Sequence, residues 1–212
     1  MKPIRMFAAT GMLGYGYADE SIERALEMEL DLIAADAGSM DPGPYYLGAG
    51  QTFVSRPAAK RDLSLMMVGG AKKGVPVFIV SAGGGGGDPH VDWLMEIVRE
   101  IATENGLHPK VAVIRSEQSK DSLKAKIKAG KIAPLGPIAE LTEEEVDNSH
   151  RVVAMMGPEP FQKALEDGAD VVIAGRASDA AIYAAIPLMR GADPGLAWHL
   201  GKIIECGAQV AE

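Results

Sequence analysis

The stretch that most limits what this chain can fold into is residues 75–90, VPVFIVSAGGGGGDPH. A short apolar, partly β-branched run (Val77, Phe78, Ile79, Val80) ends in Ser81 and Ala82, and five glycines follow. An apolar run of this length bounded by glycine reads as a buried strand. From Val91 to Asn105, Trp93, Leu94, Ile97, Val98 and Ile101 recur at helical spacing. The order is therefore strand, glycine turn, helix. Gly83, Gly84, Gly85, Gly86 and Gly87 lack Cβ atoms, so their N–H groups can approach a ligand closely, and the following helix N-terminus adds partial positive charge. The expectation is a loop for an anion, phosphate or carboxylate, with Ser81, Asp88 and His90 beside it. A glycine-rich turn of no further consequence is the alternative.

The same alternation recurs along the chain. Residues 4–9, 31–37, 110–115, 152–156 and 170–174 read as further strands, with helical patterns between them. Six strands alternating with helices predict a mostly parallel sheet flanked by helices, a three-layer doubly wound α/β domain spanning 1–212. A partial β/α barrel is the alternative. Ligands in such folds bind beyond the carboxyl ends of strands. Glycine or a polar group stands at each end: Gly11, Asp36, Gly83, Ser116, Gly157 and Gly175. If these ends share one rim, Asp36, Asp41, Asp88, His90, Arg176 and Asp179 surround one cleft.

Charge and composition exclude several classes. The formal net charge is −8, which argues against nucleic acid or an anionic membrane as partner. Hydrophobic residues make up 47% of the chain, enough for a core. Cys206 is the sole cysteine, so no disulfide framework exists and a reducing cytoplasm fits. No apolar run approaches the roughly 18 residues of a membrane span, and the N-terminus lacks the pattern of a signal peptide. The P-loop and G-x-S-x-G patterns are absent.

Several residues carry candidate chemistry. His90 suits general acid/base work, and a histidine bonded to a loop carbonyl is the competing reading. Asp88, His90 and Asp92 lie within five residues and offer a divalent metal site, against which Asp88 reads equally as a helix cap. Arg176, directly after Gly175, is placed to grip a carboxylate or phosphate, or to brace Asp179 or Asp36. Gly11 and Gly14 follow the first strand. Ser39 and Asp41 lie in a long Pro/Gly loop, and Ser178 and Asp179 follow Arg176; these are expected to line a substrate site. Cys206 reads as a small buried residue, and His199 and Glu205 are too far apart to pair on a helix.

The stretches GMLGYG (11–16), DLIAADAGS (31–39), DPGPYYLG (41–48), SAG and GGGDPHVDW (81–93), VIAGRASD (172–179) and GLAWHLGKIIECGA (195–208) together resemble the AtuA-type family, linked by name to acyclic terpene utilisation. The resemblance covers nearly the whole chain and implies the N-terminal half of a longer family core, ending just after Glu205-Cys206-Gly207. Met40 and the all-glycine run depart from the family pattern. The resemblance implies a metabolic setting of acyl-CoA enzymes for terpene and branched-chain acid breakdown.

The expectation is then an enzyme of organic-acid or acyl-CoA catabolism, a hydro-lyase or isomerase. Its substrate is a small anion, with a CoA thioester as substrate rather than cofactor. His90, Asp36 and Asp88 would move protons and Arg176 would hold the substrate. Two alternatives stand beside it: a binding or assembly subunit, as a homo-oligomer or completed by a partner chain, and a metal-dependent hydrolase using Asp36, Asp88 and His90.

Overall fold

The computed structural model describes residues 2–38 and 42–207. Five strands, all parallel, form one sheet in the order β1-β2-β3-β5-β4. They are β1 (Met6–Ala8), β2 (Leu32–Asp36), β3 (Val77–Val80), β4 (Val111–Ile114) and β5 (Val171–Ala174). The sheet is open, with β1 and β4 at its edges, so the barrel alternative does not apply. The central strands β2, β3 and β5 are buried throughout, as continuous apolar runs in a parallel sheet should be.

The strand order decides where the helices lie. The steps β1→β2→β3→β4 all move one way across the sheet, and β4→β5 moves back. Right-handed crossovers then put α1 (Asp19–Glu27), α3 (Arg56–Lys73) and α4 (Asp88–Glu104) on one face. The other face carries α7 (Glu159–Glu166), α8 (Ala181–Met189) and α9 (Pro194–Ile204). The two buried clusters match this division. Ile33, Val77, Ile79 and Ile173 pack with Leu63, Met66, Leu94 and Ile97 of α3 and α4. Leu32, Phe78, Val80 and Val172 pack with Phe161, Ile182 and Tyr183 of α7 and α8. Three short helices complete the chain: α2 (Tyr45–Ala49), α5 (Lys120–Lys128) and α6 (Glu143–Asn148), the last begun by a complete capping box at Thr142 and Glu145.

Residues 152–156 do not form the sixth strand. Both sides of β5 are already occupied, by β3 and β4. The segment instead runs over the carboxyl ends of β4 and β5 and makes two isolated bridges, Glu117 with Val153 and Met156 with Ala177. Its backbone bonds go to Ser116, Gln118, Arg176 and Ser178. The apolar run is spent on roofing the rim, not on extending the sheet.

One buried carboxylate sets the first turn. Asp62 of α3 is wholly buried, and its Oδ2 accepts from the N–H groups of both Gly14 and Gly16 at 2.9 Å. Arg61 pairs with its other oxygen at 2.9 Å. Both glycines have φ values, +101° and +83°, that other residues rarely adopt. The GMLGYG turn is thus tied by the protein's own anion.

Replacing Asp62 with Ala leaves two N–H donors without an acceptor and is expected to cost about 3 kcal/mol. Urea melts of parent and Asp62→Ala measure this. A loss under about 0.5 kcal/mol, the size of an ordinary surface change, would contradict it.

Candidate functional site

All five strands end at one rim. The chain turns toward opposite faces of the sheet after β3 and after its neighbour β5, so those two ends form the topological switch point, beside which doubly wound folds place ligands. Gly175 and Arg176 follow β5 here, Ser81 to Gly87 follow β3, and Asp36 closes β2 next door.

Asp36 is 3% exposed, and its Oδ1 accepts from the Gly38 N–H at 3.1 Å. Asp179 is the neighbouring carboxyl whose charge acts on it. Burial first, and the Asp179 charge second, push the Asp36 carboxyl well above the usual carboxylate range. Arg176 and the Gly38 N–H oppose that rise without cancelling it. Asp36 therefore keeps its proton where an ordinary aspartate has lost it. Arg176 reaches the Gly84 carbonyl through Nη1 at 3.5 Å, and its N–H donates to Ser116 Oγ at 2.7 Å. Among the described residues its guanidinium makes no ion pair. Tyr183 of α8 donates to the Ala34 carbonyl at 3.2 Å, which fixes α8 above β2 beside Asp36. Burial, and next the Asp36 charge, hold the Tyr183 hydroxyl protonated.

A third segment closes the crevice. After α9, Glu205 is buried and paired with Lys202, and Cys206 Sγ donates to Glu205 Oε2 at 3.4 Å. Burial, followed by this carboxylate, raises the Cys206 thiol. The segment lies hard on the end of β1: a Cβ on Gly11 would come within 2.7 Å of the Cys206 carbonyl oxygen, and one on Gly207 within 2.7 Å of the Gly11 nitrogen. Gly11 permits this backbone contact, and Gly14 donates to Asp62 as described.

The glycine turn is a packed joint. Ser81 to Gly87 are all buried. A Cβ on Gly86 would stand 2.4 Å from the Arg176 nitrogen, one on Gly175 2.3 Å from Ser116 Oγ, and one on Gly84 2.9 Å from the Phe53 ring. Gly83 and Gly85 lie as close to His90. Gly84 and Gly86 donate their N–H groups back to Ser81 and Ala82. The N-terminus of α4 already holds an anion: Glu117 Oε2 accepts from the Asp88 N–H at 2.8 Å, and Arg151 holds Glu117 Oε1 at 2.9 Å. A Cβ on Gly87, the N-cap of α4, would touch Glu117 and His90.

His90 is wholly buried, and its Nε2 lies 3.1 Å from the Tyr46 carbonyl and 3.0 Å from that of Gln51. Two carbonyl acceptors require Nε2 to carry the proton. The ring thus fastens α2 and the chain after it over the glycine turn. Asp88 is the first residue of α4 rather than its cap; its Oδ1 lies 3.4 Å from Arg115, which also binds Asp92 at 2.5 Å. Among the described residues no group of three His, Cys, Asp or Glu side chains is close enough to hold a metal, so Asp36, Asp88 and His90 do not form the metal triad. Ser178 donates its N–H to the Met156 carbonyl. Ser39 and Asp41 lie outside the described residues.

Of the six residues expected around one cleft, Arg176 and Asp179 lie near enough to Asp36 for their charges to act on it. Asp88 turns away toward Arg115 on the surface, and His90 lies beneath the turn. Tyr183, Glu117 and Asp62 have no local signal in the sequence, and Glu205 and Cys206 pair with each other where the sequence suggests no role for either. The ECG motif after the last helix was the one available signal for Glu205 and Cys206; their partnership with the β1 turn spans nearly the whole chain. A separate cavity of about 240 Å³ opens at the opposite end of the sheet, lined by Met67, Val75, Leu107, His108 and Asp170 among others. No helix among the described residues is long and apolar enough to cross a membrane.

The model of one family, described as acyclic terpene utilisation family protein AtuA, matches residues 56–212. That span holds the glycine turn, Arg176, Asp179 and Glu205, and Asp36 lies before it. No curated protein and no solved structure matches the chain.

The raised Asp36 carboxyl has a definite consequence for stability. The unfolded chain releases this proton near 3.8 and the folded chain keeps it, so rising pH favours unfolding from about 3.8 upward until Asp36 ionises in the fold. Asp36→Asn removes that loss. The stability of the variant relative to the parent is expected to grow with pH above 4 in paired urea melts, by up to about 1.4 kcal/mol per pH unit. Parallel pH profiles would contradict it.

Proposed function

This chain belongs to the AtuA family of acyclic terpene utilisation, and from that premise we propose that it is an enzyme of organic-acid or acyl-CoA breakdown. It acts by proton transfer, as a hydro-lyase or isomerase on a small branched acid or its CoA thioester. One observation carries the reading: the buried carboxyl of Asp36, pushed up by its burial, has Asp179 and the cation of Arg176 as charged neighbours at the switch point.

The parts suit a dehydration. Asp179, half-buried at the crevice mouth, takes the proton α to the substrate carbonyl. Electron density moves to the carbonyl oxygen, which Arg176 stabilises. Asp36 gives its proton to the departing hydroxyl, which leaves as water, and the carbon–carbon double bond forms. In an isomerisation Asp36 protonates carbon instead. Positioned acids and bases contribute about 10²–10⁴-fold each. Two carboxyls in different environments, one of them pushed up by burial, can serve as acid and base together. His90 serves by fixing the turn that carries Gly84 against Arg176.

A separate observation supports an assembly with a second copy of the chain. Leu196, Leu200 and Ile203 of α9 are exposed at i, i+4 and i+7, one stripe beside the side that packs through Ala197 and Gly201. That contact would place the Glu205 segment near an interface.

The reaction class is read by incubating the protein in D₂O with branched 2-enoyl-CoA and 3-hydroxyacyl-CoA thioesters and following deuterium by mass spectrometry. The parent should incorporate one deuterium α to the carbonyl, and Asp36→Asn or Asp179→Asn should slow this at least about 100-fold. Exchange unaffected by both substitutions would overturn the assignment of roles.

A further inference from the structure

Ser81 departs from local rules twice. Its φ is +50°, the one positive value at a residue other than glycine among the described residues. Its Oγ is wholly buried without a hydrogen-bond partner. Residues outside glycine, asparagine and aspartate seldom adopt that backbone conformation, and buried hydroxyls are seldom left unpaired. Glycine would satisfy the turn at no cost, as its neighbours Gly83 and Gly84 show with φ of +61° and +98°. A serine here meets both penalties at once, at the end of β3 and on the edge of the crevice. Such departures collect where a side chain is kept for a ligand.

The surroundings identify what it meets. Gly38 packs on Ser81 so tightly that a Cβ there would come within 2.4 Å of Ser81 Cβ and of the Gly84 oxygen. Gly38 also gives its N–H to Asp36, and the Gly84 oxygen is the atom that Arg176 Nη1 approaches. Ser81, Asp36 and Arg176 thus border the same two glycines. What packs on Ser81 on this side is the backbone of Gly38, with no side chain between them. A hydroxyl donor and a guanidinium on one side, with a protonated carboxyl as a third donor, present donors and positive charge and suit an anion with two acceptor oxygens.

We infer that Ser81 and Arg176 form a subsite for a free carboxylate of the substrate, with Ser81 Oγ donating to one oxygen and Arg176 to the other. This rests on the proton-transfer reading for the site's position and narrows its substrate: the molecule carries an ionised carboxyl group in the crevice, as a free branched acid or the far carboxylate of a half-thioester. A thioester without a second acid group would leave Ser81 unpaired.

The test is binding, measured separately from turnover. Thermal-shift and NMR titrations compare 3-methylcrotonate with its methyl ester, which has the same carbon skeleton and no charge. The parent should bind the acid at least 10-fold more tightly than the ester. Ser81→Gly, which keeps the turn and relieves the backbone, should melt at or above the parent temperature yet lose at least 10-fold in affinity for the acid. Arg176→Gln should lose more. Asp36→Asn should still bind the acid, so a failure of the deuterium assay leaves this result readable on its own. The subsite is wrong if neither compound binds, if acid and ester bind alike, or if Ser81→Gly binds the acid as the parent does.

Discussion

A parallel sheet puts the carboxyl end of each strand, and the first unpaired N–H groups of the helix that follows, on a single rim. Those groups need partners or water. In this molecule the tightest turns on the rim are closed to water, so the chain supplies partners from its own side chains. Asp62 satisfies the turn after β1. Glu117, steadied by Arg151, satisfies the start of α4. Ser116 bridges the glycine turn and the turn after β5, accepting from Arg176 and donating to Gly86. Two glycine turns that could have cradled a foreign phosphate are filled from within.

That internal supply sharpens the remaining site. With the N-terminus of α4 holding Glu117, the groups left at the switch point are Asp36, Asp179, Arg176 and Ser81. The glycines work by absence of volume. Gly86 lets the turn after β3 meet the nitrogen of Arg176, and Gly38 lets the end of β2 meet Ser81 and the Gly84 carbonyl. Close packing excludes water from Asp36 and raises its carboxyl. The chemistry of the crevice is thus a product of how tightly backbone meets backbone. His90, beneath the turn, belongs to that packing: its ring joins the glycine loop to the segment bearing α2.

Much of the layered architecture was legible in the chain, because apolar runs ending in glycine are short-range signals. The convergence of Asp36, Arg176 and Asp179 was legible for the same reason, since each lies at a strand end. Residues 152–156 show the limit. Their composition suits a strand, but pairing depends on which edges are free, and β4 takes the edge of β5 that they would have needed. The role of His90 was hidden because its acceptors, Tyr46 and Gln51, are carbonyls some forty positions away. Asp62 and Glu117 were hidden likewise: each answers N–H groups 29 to 48 positions distant. A carboxylate held by distant backbone leaves no local pattern. Cys206 reads as inert by itself and takes its meaning from Glu205 and from the β1 turn that it covers.

The chemistry of the crevice rests on Asp36 holding its proton above the pH range in which an ordinary aspartate loses it. ¹³C NMR of side-chain carboxyls in aspartate-labelled protein observes this directly. One carboxyl signal is expected to keep the protonated shift well above the pH range in which the other aspartates lose it, to vanish in Asp36→Asn, and to titrate lower in Asp179→Asn, where burial remains and the second charge is gone. If every aspartate of the parent titrates in the ordinary carboxylate range, Asp36 is not raised and the central claim is contradicted.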